Sequence, residues 1–196
     1  PSSSWIVLKF GGTSVSQRHR WDTIGTLMRE RQQSEGAKVL VVVSALSGVT
    51  NQLQSAIDHA DDEGFLAELL VALKKRHAEF ASVLGLDADM VLGSRLQNIE
   101  TLFSDPRRLQ GRFDWQADVL AQGELLSSTL GVAYLSAQGL PVSWLDARDW
   151  LYALPMPNQS AWAERLSVSC DYQGTDDWRS RFEANNSLLI SQGFFA

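Results

Sequence analysis

"KVLVVVSA", residues 38–45, decides the fold. Val39 to Val43 is an unbroken β-rich run with no polar alternation. Such a run marks a parallel strand covered on both faces. Working outward, "WIVLKF" (5–10) is a second apolar run closed by glycine, and it reads as another strand. Between the two, Trp21, Ile24, Leu27 and Met28 recur at spacings of three and four, which predicts a helix over about 16–33. Gly36 ends it. Beyond residue 45, Thr50 or Asn51 is placed to cap a helix running to about 61, and helices are predicted over about 65–84, 87–103 and 115–137. "PVSWLDA" (141–147) and "SLLISQGFF" (187–195) read as a third and a fourth strand, with a helix at 175–185 between them. Strands alternating with helices imply an α/β domain with a mostly parallel sheet sandwiched by helices. Ligands of such folds gather beyond the carboxyl ends of the strands. Here those ends carry "KFGGTS", "SALSGVTN", "LDARD" and "SQGFF".

The chain has 196 residues, enough for one sizeable core. Its formal charge of −6 argues against broad binding to nucleic acid. No apolar run approaches the ~20 residues of a membrane span. The N-terminus lacks the pattern of a signal peptide. One cysteine, Cys170, cannot form an internal disulfide or a multi-cysteine metal site, which fits a reducing compartment such as the cytoplasm.

The first strand tip carries the most chemistry. Gly11 and Gly12 permit positive φ and close approach of backbone to a ligand. Amides at the start of a helix point at an anion, Thr13 and Ser14 add donors, and Lys9 adds a charge. That set suits a transferring phosphoryl group. It is neither a Walker loop nor G-x-G-x-x-G, and a plain structural turn is an equal reading. At the second tip Ser44, Ser47 and Thr50 offer hydroxyls for a carboxylate or phosphate, or simply caps for a helix. Glu124, early in a long apolar helix, is either a solvated carboxylate or a partner for a substrate ammonium group. His19, His59 and His77 have no metal-ligand spacing and are expected at the surface. "DHADDE" (58–63) is expected as a solvated turn and "KKRH" (74–77) as a solvated helix face; no metal site is expected. Trp144, Trp150, Trp162 and Trp178 are expected to pack rather than to stack on a ligand.

"LKFGGTSV", "VVVSALSGVTN", "GELLSSTL", "VSWLDAR" and "LLISQGFF" together resemble the aspartate kinases of the amino-acid kinase family, in order and approximate spacing, from residue 6 to 195. The resemblance implies ATP-dependent phosphorylation of the L-aspartate side-chain carboxylate, the entry to lysine, threonine and methionine synthesis. It implies that Lys9 serves transfer at the phosphates, with Gly11, Gly12, Thr13 and Ser14 around them. It implies that Ser44, Thr50 and Glu124 bind aspartate, with Glu124 facing the α-ammonium. Mg²⁺ would come with the nucleotide, and the whole enzyme would be a cytoplasmic homo-oligomer. The family continues after the "QGF" strand into a "GRGGSD" segment, adenine-binding strands and paired ACT domains, none of which this sequence contains. Residues 1–196 are therefore expected to form the N-terminal, substrate-side lobe of a kinase domain, inactive alone. The parent would be monofunctional or fused to homoserine dehydrogenase or diaminopimelate decarboxylase. Two alternatives stand beside this: a kinase for another amino acid, and a binding module without turnover.

Overall fold

The computed structural model describes residues 4–151, 153–154, 157–167 and 187–193. The predicted helix at 175–185, Cys170 and Trp178 lie outside these residues. Four strands, β1 (Trp5–Phe10), β2 (Lys38–Val43), β3 (Ser143–Leu145) and β4 (Leu188–Gln192), form one sheet in the order β1-β2-β4-β3. All three pairings are parallel. The carboxyl ends of all four strands therefore share one edge. The helices are α1 (Gly12–Val15), α2 (Arg18–Glu35), α3 (Val49–Asp58), α4 (Glu63–Leu84), α5 (Ala88–Phe103), α6 (Phe113–Ala137) and α7 (Ala161–Leu166). The expected α/β class with a parallel sheet is what the chain forms.

The two faces of the sheet are covered unequally. Side chains alternate along a strand, so Leu8, Val41 and Ile190 stand in one row. With Val39, Val43 and Leu188 they join the main core beneath the helices. On the other face Leu145, Trp150 and Leu189 form a small cluster with Trp5 and Leu40 packed against it. Val7, on that face, is 62% exposed. The run 39–43 lacks alternation in sequence, yet its burial among the described residues alternates, with Leu40 and Val42 only half-buried.

Helix α6 is the post around which the site is arranged. It packs closely because small residues let it. A Cβ at Gly131 would lie 2.1 Å from the Trp21 ring, and one at Gly123 would lie 2.8 Å from the Ala45 Cβ. Trp21 is fully buried and donates its indole N–H to the Val15 carbonyl at 2.9 Å. This one contact sets α1, α2 and α6 against each other.

The helical hairpin α4–α5 uses side-chain caps. Asp62 accepts from the Phe65 amide at 2.9 Å, and Asp87 accepts from the Asp89 and Met90 amides at 3.0 Å. Asp62 and Glu63 are thus structural, with Glu63 paired to Arg108 at 2.7 Å. Three expectations need correcting. His77 is not at the surface: it is fully buried on α4, with Nδ1 2.8 Å from the Leu73 carbonyl. "KKRH" is accordingly not a wholly solvated face. Trp162 does not pack, being 50% exposed on α7. Trp144 does pack, donating to Ser128 Oγ at 3.0 Å with the Arg95 guanidinium 4.5 Å above its ring.

Candidate functional site

At the tip of β1 the chain turns through Gly11 into α1. The sequence favours positive φ at the glycines, but Gly11 has φ −79°, and neither residue is among the positive-φ glycines. What Gly12 supplies is closeness: a Cβ there would meet the Ala45 carbonyl oxygen at 2.7 Å and the Ser47 nitrogen at 3.3 Å. The β1 turn is thus laid backbone-on-backbone against the β2 loop. The helix expected to lend its dipole to this turn is only the four residues of α1, before a separate α2 begins. The donors that remain are the turn amides themselves. Ser14 and Val15 donate to the Gly11 carbonyl at 3.0 and 3.2 Å. Those of Gly12 and Thr13 have no partner among the described residues. Lys9, exposed one residue before the strand ends, forms no ion pair among the described residues.

The β2 loop, residues 44–48, is fixed from several sides. The Ser44 amide donates to the Phe10 carbonyl at 3.0 Å, and the Ser44 carbonyl accepts from Ser127 Oγ at 2.7 Å. Ser16 Oγ donates to the Gly12 carbonyl at 2.6 Å and accepts from the Ser47 amide at 2.8 Å. The Ser47 carbonyl accepts from Arg76 on α4. The helix after this loop is not capped by Thr50 or Asn51. It starts at Val49 after Gly48, whose φ of 82° only glycine adopts easily. Thr50 lies inside the first turn of α3, with its side chain exposed.

Glu124 comes from near the middle of α6, rather than early in its helix as the sequence suggested. It still reaches the strand tips, because Gly123 beside it allows α6 to touch the β2–α3 corner. Its carboxylate accepts from the Gly193 amide at 2.7 Å, just past the end of β4. Next along the edge, Gln192 donates to Asp146 at the end of β3, and Asp146 pairs with Arg148 at 2.6 Å. Burial alone would raise the Asp146 carboxyl, but hydrogen bonds from Arg148 and Gln192 hold it below the usual carboxylate range.

Gly11, Gly12, Ser44 and Glu124 thus stand at the strand-tip edge, with Thr13 and Ser14 in the turn and Lys9 one residue before the end of β1. Thr50 is attached one helical turn away. Ser16, Ser127, Arg76 and Gly193 complete the framework and were not singled out from the sequence. A concavity lined by Glu63, Leu66, Leu70, Glu100, Phe103 and Arg108 lies on the α4–α5 side, and none of the edge residues lines it. Among the described residues no group of three or more His, Cys, Asp or Glu side chains could hold a metal ion, and no helix is long and apolar enough to cross a membrane.

A parallel sheet with this donor-rich turn at one strand tip and a helix-borne carboxylate across the edge defines the class. The chain belongs to the amino acid kinase family, whose model matches residues 4–196. Within it the chain is similar to aspartokinases. It is 31% identical to the aspartokinase of Chlamydia trachomatis over 81% of its own length and 36% of that protein's. It is 28% identical to the chloroplastic bifunctional aspartokinase/homoserine dehydrogenase 1 of Arabidopsis thaliana, over 98% of this chain and 21% of that one. Its fold superposes on E. coli aspartokinase III, solved in complex with aspartate and ADP, with a TM-score of 0.71 and 24% identity, over 98% of this chain and 41% of that one. The chain thus spans well under half the length of the relatives it matches.

Proposed function

We propose that these residues form the substrate side of an aspartate kinase, which transfers the γ-phosphoryl group of ATP to the side-chain carboxylate of L-aspartate. The observation that carries this is the placement of Glu124. An amino-acid substrate brings one ammonium and two carboxylates. Of the two carboxylates on this edge, Asp146 is tied to Arg148 and Gln192, and Glu124 stands among N–H and O–H donors, with the cation Lys9 on β1 at the same edge. In this reading Lys9 and the amides of Gly12 and Thr13 stabilise the phosphoryl oxygens, with Gly11 and Ser14 shaping the turn around them. Ser44 and Thr50 bind the substrate's carboxylate end, and Glu124 takes the α-ammonium. The Gly12 and Thr13 amides, without partners among the described residues, and Lys9, without an ion pair among them, fit a polyphosphate, and the magnesium ion of an ATP complex would arrive on the nucleotide. The product feeds lysine, threonine and methionine synthesis, and the whole enzyme is a cytoplasmic homo-oligomer; these points rest on the family resemblance.

Positioning supplies most of phosphoryl-transfer catalysis, and the solved neighbour is more than twice as long as this chain. Residues 1–196 alone are therefore expected to lack turnover. Hydroxylamine trapping of the acyl phosphate tests both points. Full-length enzyme should form aspartyl hydroxamate with ATP and aspartate and little with glutamate, and the 196-residue chain should form none. Ordinary rates from the chain alone would show that the catalytic unit is complete within it. A preference for glutamate would overturn the substrate.

A further inference from the structure

Arg76 lies in the middle of α4, far along the chain from the sheet edge. Its neighbours on the helix, Leu73, His77 and Phe80, face the core. Arg76 instead reaches out of the hairpin and donates through Nη2 to the Ser47 carbonyl. Ser47 is exposed and its hydroxyl forms no hydrogen bond among the described residues, yet both its backbone polar groups are taken by side chains of other elements. Its amide goes to Ser16 Oγ at 2.8 Å, and its carbonyl goes to Arg76. Ser16 in turn donates to the Gly12 carbonyl at 2.6 Å. A continuous line therefore runs from the glycine turn through Ser16 and Ser47 to α4. Ser47 is also where control of the loop is most effective. The next residue, Gly48, has φ 82° and the fewest steric limits of any residue type. Ser44 is held by Phe10 and Ser127, so without a tie at Ser47 rotation about Gly48 would shift the Ser47 end of the loop against the first turn of α3, which carries Thr50.

We propose that Arg76 is a positioning residue for the amino-acid site: by holding the Ser47 carbonyl it keeps the β2–α3 loop in register with the glycine turn. This rests on the reading that the loop binds the amino-acid substrate. A guanidinium is suited to the task because it is always charged and its planar donors are fixed in direction. Lysine could reach the same carbonyl as a point donor, whereas methionine keeps the length and offers no donor.

The test uses full-length enzyme with Arg76→Met and Arg76→Lys. Arg76→Met is expected to raise KM for aspartate about five- to tenfold, with KM for ATP and Tm little changed. It should also speed amide exchange of residues 47–49 about tenfold, while the core of α4 stays protected. Arg76→Lys should restore most of both. Unchanged exchange in Arg76→Met would overturn the tie. Faster exchange with an unchanged aspartate KM would overturn the link to substrate. So would a Tm loss with both KM values rising, which marks a merely structural role. Ser44→Ala separates this from the reading beneath it. If Ser44→Ala raises the aspartate KM and Arg76→Met does not, only the role of Arg76 fails. If neither does, the loop does not bind the amino acid at all.

Discussion

The sheet edge and the α4–α5 hairpin solve opposite problems with opposite means. At the edge, backbone lies against backbone: Gly12 touches Ala45 and Ser47, and the ties are hydroxyls, amides and one carboxylate. In the hairpin, α4 buries Leu66, Leu69, Leu73, Phe80, Ala81 and Leu84, and α5 buries Leu92, Leu96, Ile99 and Phe103. The first arrangement exposes donors and holds them still. The second removes apolar area from water, worth about 25 cal/mol per Å². The comparison teaches a division of labour. Changes on the buried face of the hairpin should cost stability and spare chemistry, and changes at the edge should do the reverse, with Arg76 counted on the edge side because it reaches from α4 to the Ser47 carbonyl.

The largest effect is expected where packing is tightest. Leu73 is fully buried. Leu73→Ala should lower stability by about 3 kcal/mol, the usual cost of a large-to-small change in a core. Denaturant unfolding measures it, and kcat per folded molecule should hold. A kcat that fell with stability intact would break the division. At the edge, Lys9→Ala in the full-length enzyme should lower kcat about 100-fold, as expected for loss of a donor aimed at developing charge. Its Tm should barely move, because Lys9 has no ion pair to lose among the described residues. Glu124→Ala should raise KM for aspartate about tenfold and leave KM for ATP alone, since a substrate ammonium would lose its partner. An ATP KM that rose while the aspartate KM held would assign this carboxylate to the nucleotide.

The same division explains what the sequence disclosed. Val39 to Val43 and the Gly11–Gly12 pair are local signals, and both led to the right elements. The helices of the hairpin were legible to within about two residues because their apolar spacing is regular. The boundaries blurred where the chain is short-ranged and polar. The helix expected over about 16–33 is α2, Arg18–Glu35, and the short helix α1 before it, Gly12–Val15, was not expected; Ser16 bonds back to Gly12 and closes that turn. The framework of the site was harder to see. Ser16, Ser127 and Arg76 act through backbone groups 31, 83 and 29 residues away, and no local pattern encodes such a pairing. One signal was present. Gly123, Ser127 and Gly131 recur every four residues, which puts small side chains on one face of α6. That stripe marks where another element comes close, here Ala45, Ser44 and Trp21. The residue most misjudged, His77, failed for a plain reason. Lys74, Lys75 and Arg76 beside it suggested solvent, whereas position 77 falls on the buried stripe with Leu73, Phe80 and Leu84.

His77 carries the smallest expected effect, and it sharpens the hairpin side of the comparison. Its Nδ1 is satisfied by the Leu73 carbonyl at 2.8 Å, while its buried Nε2 has no partner among the described residues. Burial disfavours the charged imidazolium and pushes its pKa below the ordinary value, with the nearby Arg76 adding to the effect and the Leu73 bond opposing it. The sign of the pH dependence follows. An unfolded histidine takes up its proton near pH 6.5, and the folded one does so only at lower pH. Between those two values the unfolded state binds more protons, so stability rises with pH there. The contribution is therefore complete above about pH 6.5 and is lost as the pH falls toward the folded value, at up to about 1.4 kcal/mol per pH unit. Urea unfolding at pH 7.5, 6.5 and 5.5 should show stability dropping over the lower step. His77→Gln, which cannot take a proton, should start less stable at pH 7.5 and lose less on acidification. Carboxylates held low by arginines, such as Asp105, Asp146 and Asp114, release their stabilisation only at more acid pH and do not confuse the comparison. If wild type and His77→Gln lose stability in parallel from pH 7.5 to 5.5, the hairpin's acid sensitivity comes from another group, and the buried imidazole is merely packed.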